Sequence, residues 1–550
     1  MMKNLSLKWN EPGSILRLDM ILFALSGVLI LLMLGLALIN PLRVNRDASL
    51  HLLIGELLLR GAVPYVDYVE INPPLVHYLH VIPVALARWI GVNPIPVFLV
   101  LMLALTVWSI VTVAYLLWRN LGRTGSLIGG VAAFSLSVLD LRLFTTNEFG
   151  QREHIFFLLV MPYVILRWLR WRGRLTHGTS LGIFVGLAAG VGAYIKPHFL
   201  LILLALELFW FIAEGRRIFG RGQEVTAVIG LGFLYVLWVL LMPQEMRAGL
   251  LSVVQSVLSG GYRAYGDRSV INLILDQNVL LLLGLAPFLF LRLIRNTDEV
   301  ESAIQCMSVF GLASLVVYGL QARGFAYHLI PAMGSEYLAV FLVILMIAPR
   351  ARTVVWGDGT KTGVMTRLAK MGWMLTMLVF LVAVAKWIGD LSPSAIRGAA
   401  FLEDAGVIQA IKDNSTAEDS VLVVSTMAEP FRLVLQADRR LASKYIPTNP
   451  ISFGIAGIED VNDLYDPEFE LPGMVQGYLD ELQASISRDQ PAILIIDNRT
   501  SCVGCPVGFQ ISEFLRARGV YDRVITSHYT ELVDSERFII WKRLAGPPAE

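Results

Sequence analysis

The sequence predicts a polytopic α-helical membrane protein, with about eleven transmembrane helices over residues 1–390 and a separate α/β domain over 391–550. Three observations predict it. Hydrophobic residues make up 55% of the 550 positions and charged residues only 16%, against roughly a quarter charged in a typical soluble chain. Mean hydropathy is +0.63. Apolar runs long enough to cross a hydrocarbon layer of about 30 Å recur through the first two-thirds of the chain and then stop. A net charge of +1 without a long basic run argues against a nucleic-acid partner.

Hydropathy places the spans near 20–40, 94–117, 125–141, 154–171, 178–195, 198–214, 224–243, 270–291, 302–320, 329–348 and 371–389. The first run is too long for a signal peptide and lacks a small-residue cleavage site, so it is expected to be retained. Loops on one side carry Arg119 and Arg123; Arg167, Arg170, Arg172 and Arg174; Arg216, Arg217 and Arg221; Arg292 and Arg295; and Arg350, Arg352, Lys361, Arg367 and Lys370. Lys3, Lys8 and Arg17 join them at the amino terminus. By the positive-inside rule that side is the cytoplasm. The expected location is therefore the cytoplasmic (inner) membrane, with the amino terminus inside and the α/β domain extracytoplasmic.

The opposite loops mix acids with Arg, His, Tyr and Asn, and the first of them is the richest. Over 45–60, Asn45 or Asp47 caps a helix whose apolar positions Leu50, Leu53, Ile54, Leu57 and Leu58 form one stripe, and Gly61 stops it. Such a helix is expected to lie in the membrane interface, apolar face down. Asp47 and His51, one turn apart, face the same way. Pro64, Pro73 and Pro74 then stiffen a segment carrying Asp67 and Glu70, with Asn72 and His77 beside them. Further along stand Gln151-Arg152-Glu153-His154, Lys196 between two spans, and Arg323 with Tyr327 and His328. Charged side chains at span ends also serve as interfacial anchors, which is the plainer account of each. A glycine-rich loop over 244–269 is a candidate flap that offers Tyr262 and Arg263.

The first-loop pattern R-D-x-x-x-H-x-x-I-G-x-x-L-L-x-G-x-x-P-Y-x-D-x-x-x-x-x-P-P-L, beginning at Arg46, resembles that of the GT-C glycosyltransferases. Within that superfamily it is similar to the dolichyl-phosphate-mannose-protein mannosyltransferase and aminoarabinose-transferase type. The resemblance implies a GT-C-like fold with interfacial helices in the first outer loop. It also implies a polyprenyl-phosphate-linked sugar donor and a catalytic acid at Asp47, with Glu70 at the second acidic position. The lysine usual after that second acid is Asn72 here, so its phosphate-binding role does not carry over. The chemistry fits the residue types. A carboxylate takes the proton of an acceptor hydroxyl, while Arg152, Lys196 and Arg323 offer charge to the leaving phosphate. Arg46, His51, Asp67, Asn72, His77, Glu153, His154, Tyr262, Arg263, Tyr327 and His328 complete the candidate substrate-binding set. His154 and His328 form no compact metal-ligand motif, so a divalent metal stays open as a cofactor but no ligands are assigned to it.

The acceptor, whether lipid, glycan or protein, is open at this stage. A transporter or flippase for a lipid-linked substrate, and a lipid-linked glycan ligase or polymerase, are the rival readings. In the last third, β-rich runs at 421–425, 492–497 and 537–541 alternate with helical patterns at 477–486 and 511–518, which predicts a largely parallel sheet. Cys502 and Cys505 are read as a short disulfide, with redox chemistry as the alternative.

Overall fold

The computed structural model describes residues 15–175, 180–214, 222–258, 270–274, 279, 298–347, 378, 405–447, 449–455, 457–500 and 505–544. The helices up to Ile347 are α1 (Ile15–Ile39), α2 (Arg46–Leu59), α3 (Pro74–Ile90), α4 (Pro94–Thr145), α5 (Arg152–Trp171), α6 (Ser180–Ile195), α7 (Leu200–Glu214), α8 (Gln223–Leu241), α9 (Gln244–Leu258), α10 (Val270–Ile274), α11 (Glu299–Gln321) and α12 (Ile330–Ile347). Among the described residues six helices are long and apolar enough to cross a membrane, and Ser180–Ile195 and Pro197–Ile212 are shorter apolar helices. The predicted spans from 20–40 to 224–243 coincide with α1 and α4 to α8, and those near 302–320 and 329–348 with α11 and α12. The spans expected near 270–291 and 371–389 fall almost wholly outside the described residues. Two expected spans share α4, which breaks at Gly122 (φ 57°, ψ −128°), a backbone geometry that glycine adopts without strain.

The chain divides into two compact units, which are not contiguous in sequence. One comprises 1–40, 99–236 and 268–397; the other comprises 41–98, 237–267 and 398–550. In the first unit α5 is the central helix: nearly every residue from Arg152 to Trp171 is buried, as expected of a helix packed on all sides. Its carboxy-terminal end carries a buried ion network. The Arg167 guanidinium donates to Glu207 on α7 at 2.6 and 2.7 Å and to Glu224 on α8 at 3.0 Å, and Tyr163 donates to Glu207 at 2.9 Å. Arg170 donates to Glu224 as well, and Arg172 to Glu299 on α11 at 3.1 Å. Arginines read from the sequence as loop cations are thus partly cross-links between helices, and Glu207, an acid within an apolar run, has its partners.

In the second unit α2 and α3 form a helical pair. Asn45 caps α2, its Oδ1 accepting from Ala48 N at 2.7 Å. Glu56 holds the pair together by accepting from Arg60 (2.8 and 3.0 Å) on its own helix and from Arg88 (2.8 Å) on α3. The expected surface helix differs from what is observed: Ala48 to Glu56 are all buried, because α3 and the helix Glu429–Ala437 pack on α2 from two sides. The open apolar stripe belongs to α3 instead, where Tyr78, Ile82, Leu86, Trp89 and Ile90 are exposed in the pattern of an interface helix. Pro74 begins that helix, where a missing N–H costs nothing.

The carboxy-terminal segment of this unit holds a five-stranded sheet of order β2-β1-β3-β5-β4, with β1 (Ser420–Val424), β2 (Arg440–Leu441), β3 (Ile493–Asp497), β4 (Tyr529–Asp534) and β5 (Phe538–Arg543). β1 runs parallel to β2 and β3, whereas β5 is antiparallel to β3 and to β4. The sheet is therefore mixed rather than largely parallel. The reason is the short 535–537 connection, which joins β4 to β5 as a hairpin and cannot make the longer crossover that parallel strands need. The chain leaves β1 toward β2 on one side and returns to β3 on the other, so a topological switch point lies between β1 and β3. Cys505 is disulfide-bonded, and Cys502 lies outside the described residues.

Candidate active site

The predicted residues fall into two constellations, one in each unit. In the second unit, Asp47 lies half-buried in the first turn of α2. Asn45 performs the capping that the sequence left open between the two, so Asp47 is not the cap. One turn on, His51 is 2% exposed, and its ring lies 5.7 Å from His77 and 5.1 Å from His80.

Glu70, also 2% exposed, is held from three directions. It accepts from Asn72 N at 2.7 Å, from Asn72 Nδ2 at 2.5 Å and meets His77 Nε2 at 2.9 Å. Asn72 thus holds Glu70 through both its backbone and its side-chain N–H groups. The Tyr68 hydroxyl lies 3.3 Å from His77 Nδ1; burial, with Tyr78 and Glu70 nearby, pushes its phenol well above the ordinary range. The loop is tied down by its own backbone. Tyr65, at φ 64°, donates to Asn72 O at 2.7 Å, and Val69 bridges to Tyr445, its N donating to Lys444 O at 2.6 Å and its O accepting from Ile446 N at 3.0 Å. Asp67 is exposed and accepts from Val63 N at 2.7 Å, closing a turn.

Arg46 reaches toward the switch point of the sheet. Its guanidinium pairs with Glu429 at 3.0 Å. At the carboxyl ends of β1 and β3, Ser425 donates to Asp497 at 2.7 Å and Arg499 grips the same carboxylate at 2.7 and 2.9 Å, with Glu429 3.8 Å from Arg499. Burial alone would raise the Glu429 carboxyl, but Arg46 and Arg499, with a backbone N–H, hold it below its ordinary value. This relay was not legible in the sequence, since its bonded partners stand up to 383 residues apart. A serine and an aspartate just past two β-rich runs were the signal available.

The first unit brings Arg152, Glu153, His154, Lys196, Tyr327, His328 and Arg323 to the amino-terminal end of α5. Lys196 Nζ donates to Glu153 at 2.5 Å and lies 5.7 Å from the Tyr327 ring. His328 Nε2 is 3.8 Å from Glu153, and Arg152, Lys196, His198 and Arg323 all act electrostatically on His328. All three cations are at least nine-tenths buried. His154 has a different setting. Its Nδ1 accepts from Gly150 N at 3.2 Å, so Nε2–H donates to Asp140 at 2.9 Å, and Thr106 bonds the other oxygen of that carboxylate. With both nitrogens committed, His154 orients the turn that opens α5. Tyr262 and Arg263 lie outside the described residues.

No family model matches the sequence, and no curated protein matches it. Among solved structures, ArnT from Cupriavidus metallidurans bound to undecaprenyl phosphate aligns with a TM-score of 0.52 at 11% identity, covering 96% of this chain and 99% of that one. Its apo state gives 0.49 at 11% identity over 96% and 98%. The Archaeoglobus fulgidus oligosaccharyltransferase gives 0.39 at 13% identity over 86% and 68%. At such identity the likeness is one of fold. The chain shares the fold of ArnT, a fold that the resemblance in the first loop led us to expect.

Proposed function

We propose that this protein is a glycosyltransferase that moves a sugar from a polyprenyl-phosphate-linked donor to an acceptor hydroxyl at the outer face of the cytoplasmic membrane. The observation that carries this reading is the fold shared with ArnT, whose structure holds undecaprenyl phosphate. That molecule belongs to the class of lipid phosphate such a donor releases.

In this reading Asp47 takes the proton of the acceptor hydroxyl as its oxygen attacks the anomeric carbon. The bond from that carbon to the phosphate oxygen breaks, and the electron pair leaves with the lipid phosphate. Arg152, Lys196 and Arg323 take up the charge that develops on it; arginine offers a two-pronged fork and lysine a point charge. Glu70 is the second acid. A single base acting on a single displacement inverts the anomeric centre, and retention would need a nucleophilic carboxylate that this assignment does not contain. A transport reading finds less support. It looks for ionisable groups that serve a path through the membrane, whereas Glu207 on α7 is bonded to Arg167 and Tyr163.

The test is to incubate membranes carrying the full chain with labelled polyprenyl-phosphate sugars and follow the label into product. Asp47→Asn is expected to lower transfer by about 100- to 10,000-fold with unchanged protein level. Unchanged turnover in that variant would remove Asp47 as the base, and movement of lipid without any glycosylated product would favour a flippase.

A further inference from the structure

His51, Glu70 and His77 come from three different segments: the middle of α2, the proline-bounded loop and the first turn of α3. All three are buried, at 2%, 2% and 0% exposure, and each offers a ligand atom within 4.8 Å of the other two. The distance from His77 Nε2 to Glu70 Oε2 is 2.9 Å. Ligands about 2.0–2.2 Å from a metal stand roughly 3.0–3.5 Å from one another. One edge of a coordination polyhedron is thus nearly formed, and only the His51 ring has to close in.

We propose that His51, Glu70 and His77 bind a divalent transition-metal ion of the zinc class. Two imidazoles and a carboxylate suit such an ion, whereas magnesium and calcium favour all-oxygen sites. The surroundings are those of a ligand set. Asn72 holds Glu70 through both its backbone and side-chain N–H groups, and Tyr68 meets the far nitrogen of His77. Partners of this kind orient ligands and fix their tautomer. On binding, the single ring proton of His77 would move by solvent exchange from Nε2 to Nδ1, which frees the Nε2 lone pair for the metal. Nδ1–H would then donate to the Tyr68 hydroxyl, which accepts as readily as it donates. Three protein ligands leave a fourth position open. The ion would fasten α2, the loop and α3 at one point, one turn from Asp47. None of this depends on the transfer reaction, because metal content is read without substrate.

The experiment measures metal in the full chain purified in detergent after its affinity tag has been removed. Wild type is expected to hold about one zinc per chain after equilibration with zinc, with no comparable uptake of magnesium. Cobalt loading is expected to give visible d–d absorption. His51→Ala and His77→Gln each lower occupancy at least about tenfold, and Asn72→Ala, which keeps all three ligands, weakens zinc binding by roughly 10- to 100-fold. Wild-type protein that melts cooperatively yet takes up neither zinc nor cobalt overturns the proposal, whatever the variants do. Full zinc retention in a His51→Ala, His77→Gln double variant overturns it as well.

Discussion

The two ends of α5 are built from the same materials and arranged differently. Roughly 22 Å apart at 1.5 Å per residue, both gather buried arginine, glutamate and tyrosine. At the carboxy-terminal end, Arg167 and Arg170 are bonded to Glu207 and Glu224, cation to anion, across three helices. At the amino-terminal end, Arg152, Lys196 and Arg323 surround His328, and Glu153 is the one predicted acid among them. The first arrangement satisfies itself. The second gathers the cations that the proposed reading assigns to the lipid phosphate. Buried charge is thus read by its composition and partners and not by its presence.

The sharpest way to break this comparison is to remove charge from each end without stranding a partner. Replacing Lys196 by Met together with Glu153 by Gln removes both members of one buried ion pair. It is expected to keep the melting temperature near wild type while transfer from a lipid-phosphate donor falls about 100-fold or more. A double variant that transfers normally would make the two ends equivalent. At the other end, Glu224→Gln leaves Arg167 its two bonds to Glu207 but takes the buried carboxylate from Arg170, so a loss of about 3 kcal/mol is expected in thermal unfolding in detergent. If the melting temperature does not move, the network is not a clamp.

Two smaller effects concern the first loop. Asn45→Ala removes the cap of α2 and should cost about 1 kcal/mol, whereas Asp47→Ala should cost less than about 0.5 kcal/mol by the same melt, since it is not the cap. Equal losses would return Asp47 to a structural role. Glu429 predicts the pH response of the relay that begins at Arg46. Its folded pKa lies below the ordinary 4.5, so its contribution is present at neutral pH and is lost as pH falls through the folded value. Glu429→Gln should therefore flatten the fall in melting temperature below about pH 5.

The spans were legible because a membrane imposes length and apolarity on each segment by itself. Capping was half legible: the sequence offered Asn45 and Asp47, and only the backbone decides which side chain meets Ala48 N. Pro73-Pro74 was read as stiff, extended or turn backbone throughout, although the second proline starts α3. That error hid the helix whose apolar side is exposed. Partners distant in sequence were out of reach. Arg167 meets Glu207 and Glu224, 40 and 57 positions on, and His154 is tied to Asp140. Nothing local to any of these residues announces the other. The strand runs were legible, but not the reversal at β4–β5 that made the sheet mixed.

The pairing of Val69 with Tyr445 and of Arg46 with Glu429 has a consequence for biogenesis. During vectorial synthesis the first loop is made early, but its packing partners are translated 383 residues later. At about 5–20 residues per second this is a wait of roughly 20–80 s. Until then α2 lacks the helix Glu429–Ala437 as a neighbour, so the acid-bearing loop matures only after the segment around Glu429 and Tyr445 has been made.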